Sequence, residues 1–600
     1  MARIAKEVAV TIRDMSRGNR RPQLLRRALF AVLFLALAPA LPGAAAPTDK
    51  WDQYNARSAK SILDLQPFRQ EEQAASSPSG VPIRLIALNP QSNAWFLLAI
   101  GNGEGKAIAR YHIENPDPRL HEIHLSARPP VALVISGNDG DVRCEPWTGY
   151  PTALDSARAS GLAYAPLCGG TLYLRNPVAG TRTTLERTTD YLRDHVWKGD
   201  QIVGFVRDTF FRDSFVESGK GVAVDGTAPE TQGPTPAAIA PSYAGQAVIP
   251  ADFGLGLAGA PSGRMTLGRW YPVADMPGIH ASVILPKAIS DQVLHGPGKT
   301  NPLDQVEAGA FDYMVAFDLS RFDLHFTLGT DHPRLGWSPR PPAAARDSGL
   351  PGPDGVRTAE PLARTGMVSP ALARQTVATF AAGFKREHGA FKWGELSTRN
   401  HGSHYGFIEQ GVIFSKLQPG LATLFVLDDG SVDMKTWAQQ DDRLLPRTRF
   451  ARQNGVALLE PGPLNGETVP GPLVTRWGPG NWSGSANMQL RTLRAGACLQ
   501  ESRGKRFLIY GYFSTATPSA MARTFQAFDC HYAMQLDMNA LEHTYLALYV
   551  RRGDEVQIQH LIPGMSAVDQ TGPDSKLIPR FIGFPDNRDF FYLTRKRDTP

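Results

Sequence analysis

The sequence predicts an α+β protein of two domains, a sheet-rich N-terminal domain with helices and a C-terminal domain of mixed α/β character. Three observations predict it. Residues 82–136 hold short apolar runs separated by Gly, Asn, Asp and Pro, the punctuation of antiparallel strands. Residues 221–265 are rich in Gly, Ala, Pro and Thr and carry few apolar side chains to bury, which reads as a linker. Residues 494–545 read as strand, turn, strand, helix, strand. Six hundred residues also exceed what one hydrophobic core usually organises. The expected division is a signal segment at 1–46, the sheet-rich domain at 47–220, a linker and connecting segment at 221–308, the second domain at 309–555 and an extension at 556–600.

At the N-terminus, Arg20, Arg21, Arg26 and Arg27 precede an apolar run at 28–41, and small residues follow it. This is the pattern of a secretory signal, and the run is shorter than the roughly 20 residues that span a bilayer. The expected location is periplasmic or extracellular, with no stable membrane span after cleavage. Residues 1–46 contain eight Lys or Arg against Glu7 and Asp14, which accounts for the whole formal charge of +6. The remainder is near neutral, so no global field steers it to nucleic acid.

An exported chain meets an oxidising compartment. Its four cysteines fall in two local pairs, and joining Cys144 with Cys168 and Cys498 with Cys530 closes the shortest loops of the three possible connectivities. No Cys-x-x-Cys pair suggests zinc. After the N-terminal strands, Thr183-x-x-Glu186 forms a capping box ahead of Leu185, Leu192 and Val196. Within the linker, Gly254-Leu-Gly-Leu-Ala-Gly259 matches the dinucleotide fingerprint in letters only. No useful strand precedes it, and Pro261 and Gly263 interrupt a following helix. No cofactor is expected.

In the second domain, 506–513 is apolar and aromatic enough for a buried strand. Thr517-Pro518 supplies an N-cap and a proline at the first helical position, and Met521, Phe525 and Phe528 recur at helical spacing. The next strand ends in Gln535-Leu-Asp-Met-Asn539, which delivers Asp537 to its carboxyl end, where open sheets commonly form ligand crevices. The loop 385–405 gathers Lys385, Arg386, Glu387, His388, Trp393 and Tyr405, with Arg399, His401 and His404 beside them. Aromatic rings there suit a sugar face and cations suit an anion. A second aromatic, Gly-rich loop lies at 477–484, and a last strand candidate at 590–593.

Five pieces of this domain, in order, carry a family resemblance. They are Phe380-Ala-Ala-Gly-Phe-Lys385, Leu421-Ala-Thr-Leu-Phe-Val-Leu-Asp-Asp-Gly430, Arg452-Gln-Asn-Gly-Val-Ala-Leu-Leu459, Arg494-Ala-Gly-Ala-Cys498 and Gln535-Leu-Asp-Met-Asn539. Over residues 309–550 the chain resembles the phosphodiester glycosidase domain family. The resemblance implies hydrolysis of a glycosidic phosphodiester bond in a sugar-phosphate or envelope glycan, with a carbohydrate partner. Such chemistry needs a carboxylate near the anomeric carbon and a group that neutralises the phosphate leaving group. Asp537 is the expected carboxylate, Arg494 the phosphate holder, and Glu387 or His388 the second acid-base group. Lys385, Arg386, Trp393, Tyr405 and Asn539 are expected to bind substrate. Ala381 and Ala382 replace the Asn and Gly of the family's first turn and 538–541 replace the glycines of its last, so one alternative is a glycan-binding or scaffold protein without catalysis. A second alternative is a metal-dependent hydrolase using His401, His404 and Asp537.

Overall fold

A computed structural model describes residues 49–597 apart from 57–58, 102–106, 185, 189–213, 218–221, 224–232, 261–262, 392–393, 399–403, 465, 477–489 and 554. The expected signal segment, Leu185, Leu192 and Val196 of the helix expected after the capping box, Trp393, Arg399, His401 and the loop 477–484 therefore lie outside the described residues. By its contacts the chain divides at residue 52. Of the first unit, residues 49–52 are described and include the start of the helix Lys50–Asn55. All that follows concerns residues 53–600, which form one compact unit.

The fold is α+β and dominated by antiparallel sheet. Six N-terminal strands form one sheet in the order Glu72–Ser76, Pro82–Ala87, Trp95–Gly101, Ala107–Glu114, Leu172–Arg175 and Tyr164–Leu167. The apolar runs read from the sequence supply its core, including Ile83, Leu85, Phe96, Leu98, Leu133 and Ile135. Both expected disulfides are present, with Sγ atoms 2.09 Å apart for Cys144–Cys168 and 2.08 Å for Cys498–Cys530.

The segment 221–308, expected as linker and connection, carries structure. Its strand Ile279–Ile284 is buried along its whole length and pairs with Asp312–Asp318 inside an eight-stranded sheet. Gly254–Gly259 of the letter-only fingerprint lies among loop residues, and the Gly254 N–H donates to Leu561 O.

The stretch from 492 to 538 folds in the order its sequence predicts: Thr492–Ser502, Lys505–Ala516, the helix Pro518–Ala527, then Cys530–Met538. Thr517 caps the helix by accepting the Ala520 N–H at 3.2 Å. Strands 505–516 and 530–538 both run antiparallel to 492–502, which lies between them. They are therefore parallel to each other, and the helix is a crossover spanning one intervening strand. The helix sits closely because Gly496 and Gly511, opposite each other in the ladder, leave room for Phe525 and Met521. A Cβ on Gly496 would stand 2.8 Å from the Phe525 ring.

One five-stranded sheet positions the site. Its order is Phe322–Thr327, Phe590–Arg595, Thr376–Ala381, Leu546–Arg552 and Glu555–His560, all antiparallel. The late strand expected near 590 is thus central to this sheet. Thr327 and Ala381 both lie opposite Phe590, and Phe380 lies opposite Leu546. Strands 322–327 and 376–381 therefore end, and strands 590–595 and 546–552 begin, at one edge.

The N-terminal sheet meets the rest of the unit through buried polar contacts. Gln66 brackets Ile413, accepting its N–H at 2.8 Å and donating to its carbonyl at 2.6 Å. Arg175 holds Glu114 at 2.5 Å and Glu409 at 3.6 Å, with its guanidinium 4.2 Å from the centre of the Trp95 ring. Burial pushes the Glu409 carboxyl up to about 7, a rise that Arg175 only partly offsets. A carboxyl whose pKa rises on folding stabilises fully below its unfolded value, and that contribution is lost as pH rises through the folded one. Relative to Glu409→Gln, the wild type is therefore expected to lose up to about 3 kcal/mol of stability between roughly pH 4 and pH 8. Urea unfolding of both proteins across this range measures it, and parallel pH curves would refute it.

Candidate functional site

Four segments converge at the sheet edge just described. Residues 329–334 follow strand 322–327, residues 382–387 follow strand 376–381, residues 586–589 precede strand 590–595, and 539–545 join strand 530–538 to strand 546–552. The sequence makes each of these turns polar between apolar strands, so their charged groups gather where the sheet ends. A fifth segment, 180–188, is laid along them: Thr181 bridges Asp586, and its N–H donates to Pro585 O at 2.9 Å.

The gathered charges form an alternating chain. Asp537 accepts from Arg588 at 2.6 Å, Arg588 reaches Glu186 at 3.2 Å, and Glu186 accepts from Lys385 Nζ at 3.0 Å. Lys385 then stands 3.7 Å from Asp331, which also accepts from Arg182 at 2.6 Å. Asp537, Arg588, Glu186 and Lys385 are all buried, whereas a quarter of the Asp331 side chain is exposed. Burial opposes ionisation of Glu186, but Arg588 and then Lys385 outweigh it and hold its carboxyl far below the usual range. Burial likewise opposes ionisation of Asp331, and Lys385 followed by Arg182 again prevails, so this carboxyl is lowered and charged at neutral pH. Arg588 stays protonated despite burial because Glu186 and Asp537 flank it.

The chain opens onto a groove of ≈ 560 Å³, lined by Arg182, Asp331, Arg334, Arg364, Lys385 and Glu387 among others. Glu387 is paired with Arg334 at 2.5 Å, and His388 Nε2 lies 3.7 Å from its carboxylate. Arg364 donates to His332 O at 3.1 Å, and neither it nor Arg357 on the same wall meets a carboxylate among the described residues. Burial lowers the Arg364 pKa, and the nearby Asp331 only partly offsets this. A wall with two such arginines suits an anionic ligand.

Beneath the groove, Arg452 Nε donates to Asp589 at 2.6 Å, and His332 Nδ1 lies 3.0 Å from the same carboxylate. Burial opposes ionisation of Asp589, yet Arg452 and His332 lower its pKa to about 2. Near Asp537, His543 Nδ1 stands 2.9 Å from Met538 O and donates to it, which leaves Nε2 as an acceptor without a hydrogen bond among the described residues. Burial, followed by Arg588, lowers the His543 pKa and keeps the ring neutral.

Of the residues expected from sequence, Lys385 and Glu387 line the groove, with His388 beside them. Arg386 borders it, but its guanidinium is buried against Asp354 and donates to Arg334 O at 3.1 Å. Tyr405 is fully buried, its ring 5.6 Å from the Arg452 guanidinium, so it is not a platform for a sugar. Asn539 occupies a left-handed turn (φ 79°) and accepts from Thr492 Oγ1 at 3.2 Å, which makes it a turn residue.

Arg494 and Asp537 do not meet. A bulge in their ladder turns Gln535 and Met538 toward Arg494. Arg494, fully buried, donates to Ala516 O at 2.8 Å, Gln535 Oε1 at 3.0 Å and Leu490 O at 3.1 Å. Its guanidinium is thus engaged inside its own sheet rather than aimed at a phosphate, while Asp537 turns to Arg588. His404 is buried near Ser338 and Trp337, and no three metal-ligating side chains converge among the described residues.

Sequence reasoning missed Asp331, Arg182, Arg334, Arg364 and Arg588, and took Glu186 only as a cap. One signal was present: the charged run Asp586-Asn-Arg-Asp589 stands directly before the apolar strand at 590, where a surface tail has no reason to place it.

No protein-family model matches this chain. No curated protein matches it either. Among solved structures, the zebrafish N-acetylglucosamine-1-phosphodiester alpha-N-acetylglucosaminidase catalytic domain, auto-inhibited by its pro-peptide, aligns at 11% identity with a TM-score of 0.28. That alignment covers 62% of this chain and 97% of the zebrafish chain. A hypothetical protein from Synechocystis aligns at 11% identity and a TM-score of 0.21, over 48% of this chain and 59% of its own. These values indicate a distant relationship at most, and no role is assigned from them.

Proposed function

We propose that the chain is an exported hydrolase of glycosidic phosphodiester bonds and that the groove beside Lys385 is its active site. The observation that carries this reading is the pairing, on one groove, of an ionised, partly exposed carboxylate at Asp331 with two arginines, Arg357 and Arg364, that form no ion pair among the described residues. The ordered sequence pieces between 380 and 539 point to the same chemistry. Export is supported by the composition of 1–46 and by the two disulfides.

In this reading the phosphate lies against Arg364 and Arg357, with Lys385 nearby. The bond between the anomeric carbon and the phosphate oxygen breaks, and its electron pair leaves on the phosphate, which the cations stabilise without full proton transfer. Asp331 faces the positive charge that develops on the sugar. Water adds to the anomeric carbon, and its proton passes to Glu387 and then to solvent. Asp537, expected from sequence to touch the sugar, instead acts through Arg588 and Glu186.

The test is incubation of the purified protein with methyl diesters of sugar 1-phosphates, following release of reducing sugar. Turnover is expected, and Arg364→Ala is expected to raise KM by at least about tenfold, the worth of a charge-assisted contact. A protein inert toward the whole panel contradicts the proposal.

One observation favours a sugar-phosphate-binding protein without turnover. In the turn that would cradle an anion in the family pattern, the N–H groups of Ala381, Ala382 and Phe384 are bonded to Tyr545 O, Asp589 O and Asn454 Oδ1. They are not available to a phosphate. Saturable binding of the diesters without release of sugar supports this second reading.

A further inference from the structure

Glu186 reaches the site from far outside the second half of the chain, on a segment that is built into the site at every step. The Gly180 N–H donates to Thr330 Oγ1 at 3.0 Å, and a Cβ at Gly180 would stand 2.4 Å from the Asn587 nitrogen, so this segment lies flush on the turns it crosses. Thr181 donates through Oγ1 to Pro585 O at 2.6 Å, and Thr183 donates to Glu542 at 3.0 Å while accepting the Glu186 N–H at 3.0 Å. The Glu186 carboxylate is fixed in turn. One oxygen receives Lys385 at 3.0 Å, Arg588 at 3.2 Å and Asn587 Nδ2 at 2.9 Å.

The distances around Lys385 show what this fixing does. Its ammonium sits 3.0 Å from Glu186 and 3.7 Å from Asp331. Lysine is a compact charge on a flexible stem, and two unlike charges close until something holds them apart. Loss of the nearer anion is expected to let Lys385 shift toward Asp331, the more exposed of the two groove carboxylates, which Arg182 already meets at 2.6 Å.

We infer that Glu186 is a positioning residue: it draws Lys385 short of Asp331, so that Asp331 stays open to the sugar while the ammonium faces the phosphate. The inference rests on the hydrolysis reading above and adds that the segment 180–186, N-terminal to the family-like region, is part of the active unit.

The experiment compares wild type, Glu186→Gln, Lys385→Met and the double variant in the full chain, using the sugar 1-phosphate methyl diester that the wild type turns over best. Glu186→Gln is expected to lower kcat on the order of tenfold to hundredfold, the scale of a misplaced catalytic group, with KM changed by less than about threefold. In the double variant, the Glu186 change is expected to add nothing to Lys385→Met, since Glu186 acts through Lys385. A folded Glu186→Gln protein with wild-type kcat overturns the inference, as does a full additive effect in the double variant. Should Glu186→Gln fail to fold, Glu186→Asp takes its place: it keeps the charge one methylene short and is expected to give an intermediate kcat, and a wild-type kcat overturns the inference. A wild type inert toward every diester sinks the hydrolysis reading itself, and this inference with it.

Discussion

Asp331→Asn is expected to lower kcat by about a thousandfold while leaving substrate binding within a few-fold of wild type. The substitution keeps the shape of the side chain and removes its negative charge. Loss of a well-placed catalytic carboxylate commonly costs two to four orders of magnitude, on the order of 10²–10⁴-fold in rate. Here the charge is maintained deliberately by its surroundings, because Lys385 and Arg182 overcome the burial that would otherwise protonate it. Folding is expected to survive, since the side chain is partly exposed and Arg182, its nearest partner, is more than a third exposed. Such pairs contribute roughly 0–1 kcal/mol. The measurement is steady-state kinetics on the diesters alongside thermal unfolding. A variant that turns over at the wild-type rate would remove Asp331 from the mechanism and return the search to Glu387.

The second large effect is on stability. Arg588→Met is expected to destabilise the protein by about 3–5 kcal/mol, the range for breaking a buried ion pair by removing one partner. Arg588 is the only guanidinium between Asp537 and Glu186 in the chain of charges described above, and all three side chains are buried. Methionine fills similar volume but leaves two carboxylates facing each other without a cation between them. The pH dependence has a definite sign. Folding depresses the Glu186 pKa, so its contribution is present above the unfolded value near pH 4 and is lost only as pH falls below that value toward the much lower folded one. The deficit of Arg588→Met is therefore expected to be largest near neutrality and to shrink once pH falls below about 4, where the contribution of the Glu186 pair is lost. Urea midpoints for both proteins at pH 7 and about pH 3 measure it. Equal midpoints at pH 7 would show that the pair contributes nothing net.

Residue pairs show which parts of the site could be read in advance. Thr517-Pro518 announced its helix because N-capping is a local hydrogen bond between neighbours in sequence. The cysteine pairs were legible because short loops close at the lowest entropic cost. Lys385 and Glu387 stood out in a polar loop, and the structure places both on the groove. Arg494 shows the limit. Its place at the start of a motif suggested a free guanidinium, yet a bulge one strand away presents Gln535 to it. A bulge shifts side chains by one face, and no residue type in 535–538 encodes where it falls. Tyr405 fails for a related reason: an aromatic ring in a Gly-rich loop reads the same whether it faces solvent or lies under Arg452.

The sequence by itself determined the strands around 505–516, 530–538 and 590–595, the crossover helix and the disulfide pairing, because each depends on periodicity or on contacts between nearby residues. Tertiary structure alone decided the charged site. Asp331, Lys385, Asp537 and Arg588 are separated by tens to hundreds of positions and meet because parallel strands 322–327 and 376–381 end where strand 590–595 begins, with Glu186 laid across them. A carboxylate's partner and its protonation are set by distance and burial, and neither quantity exists until the chain has folded.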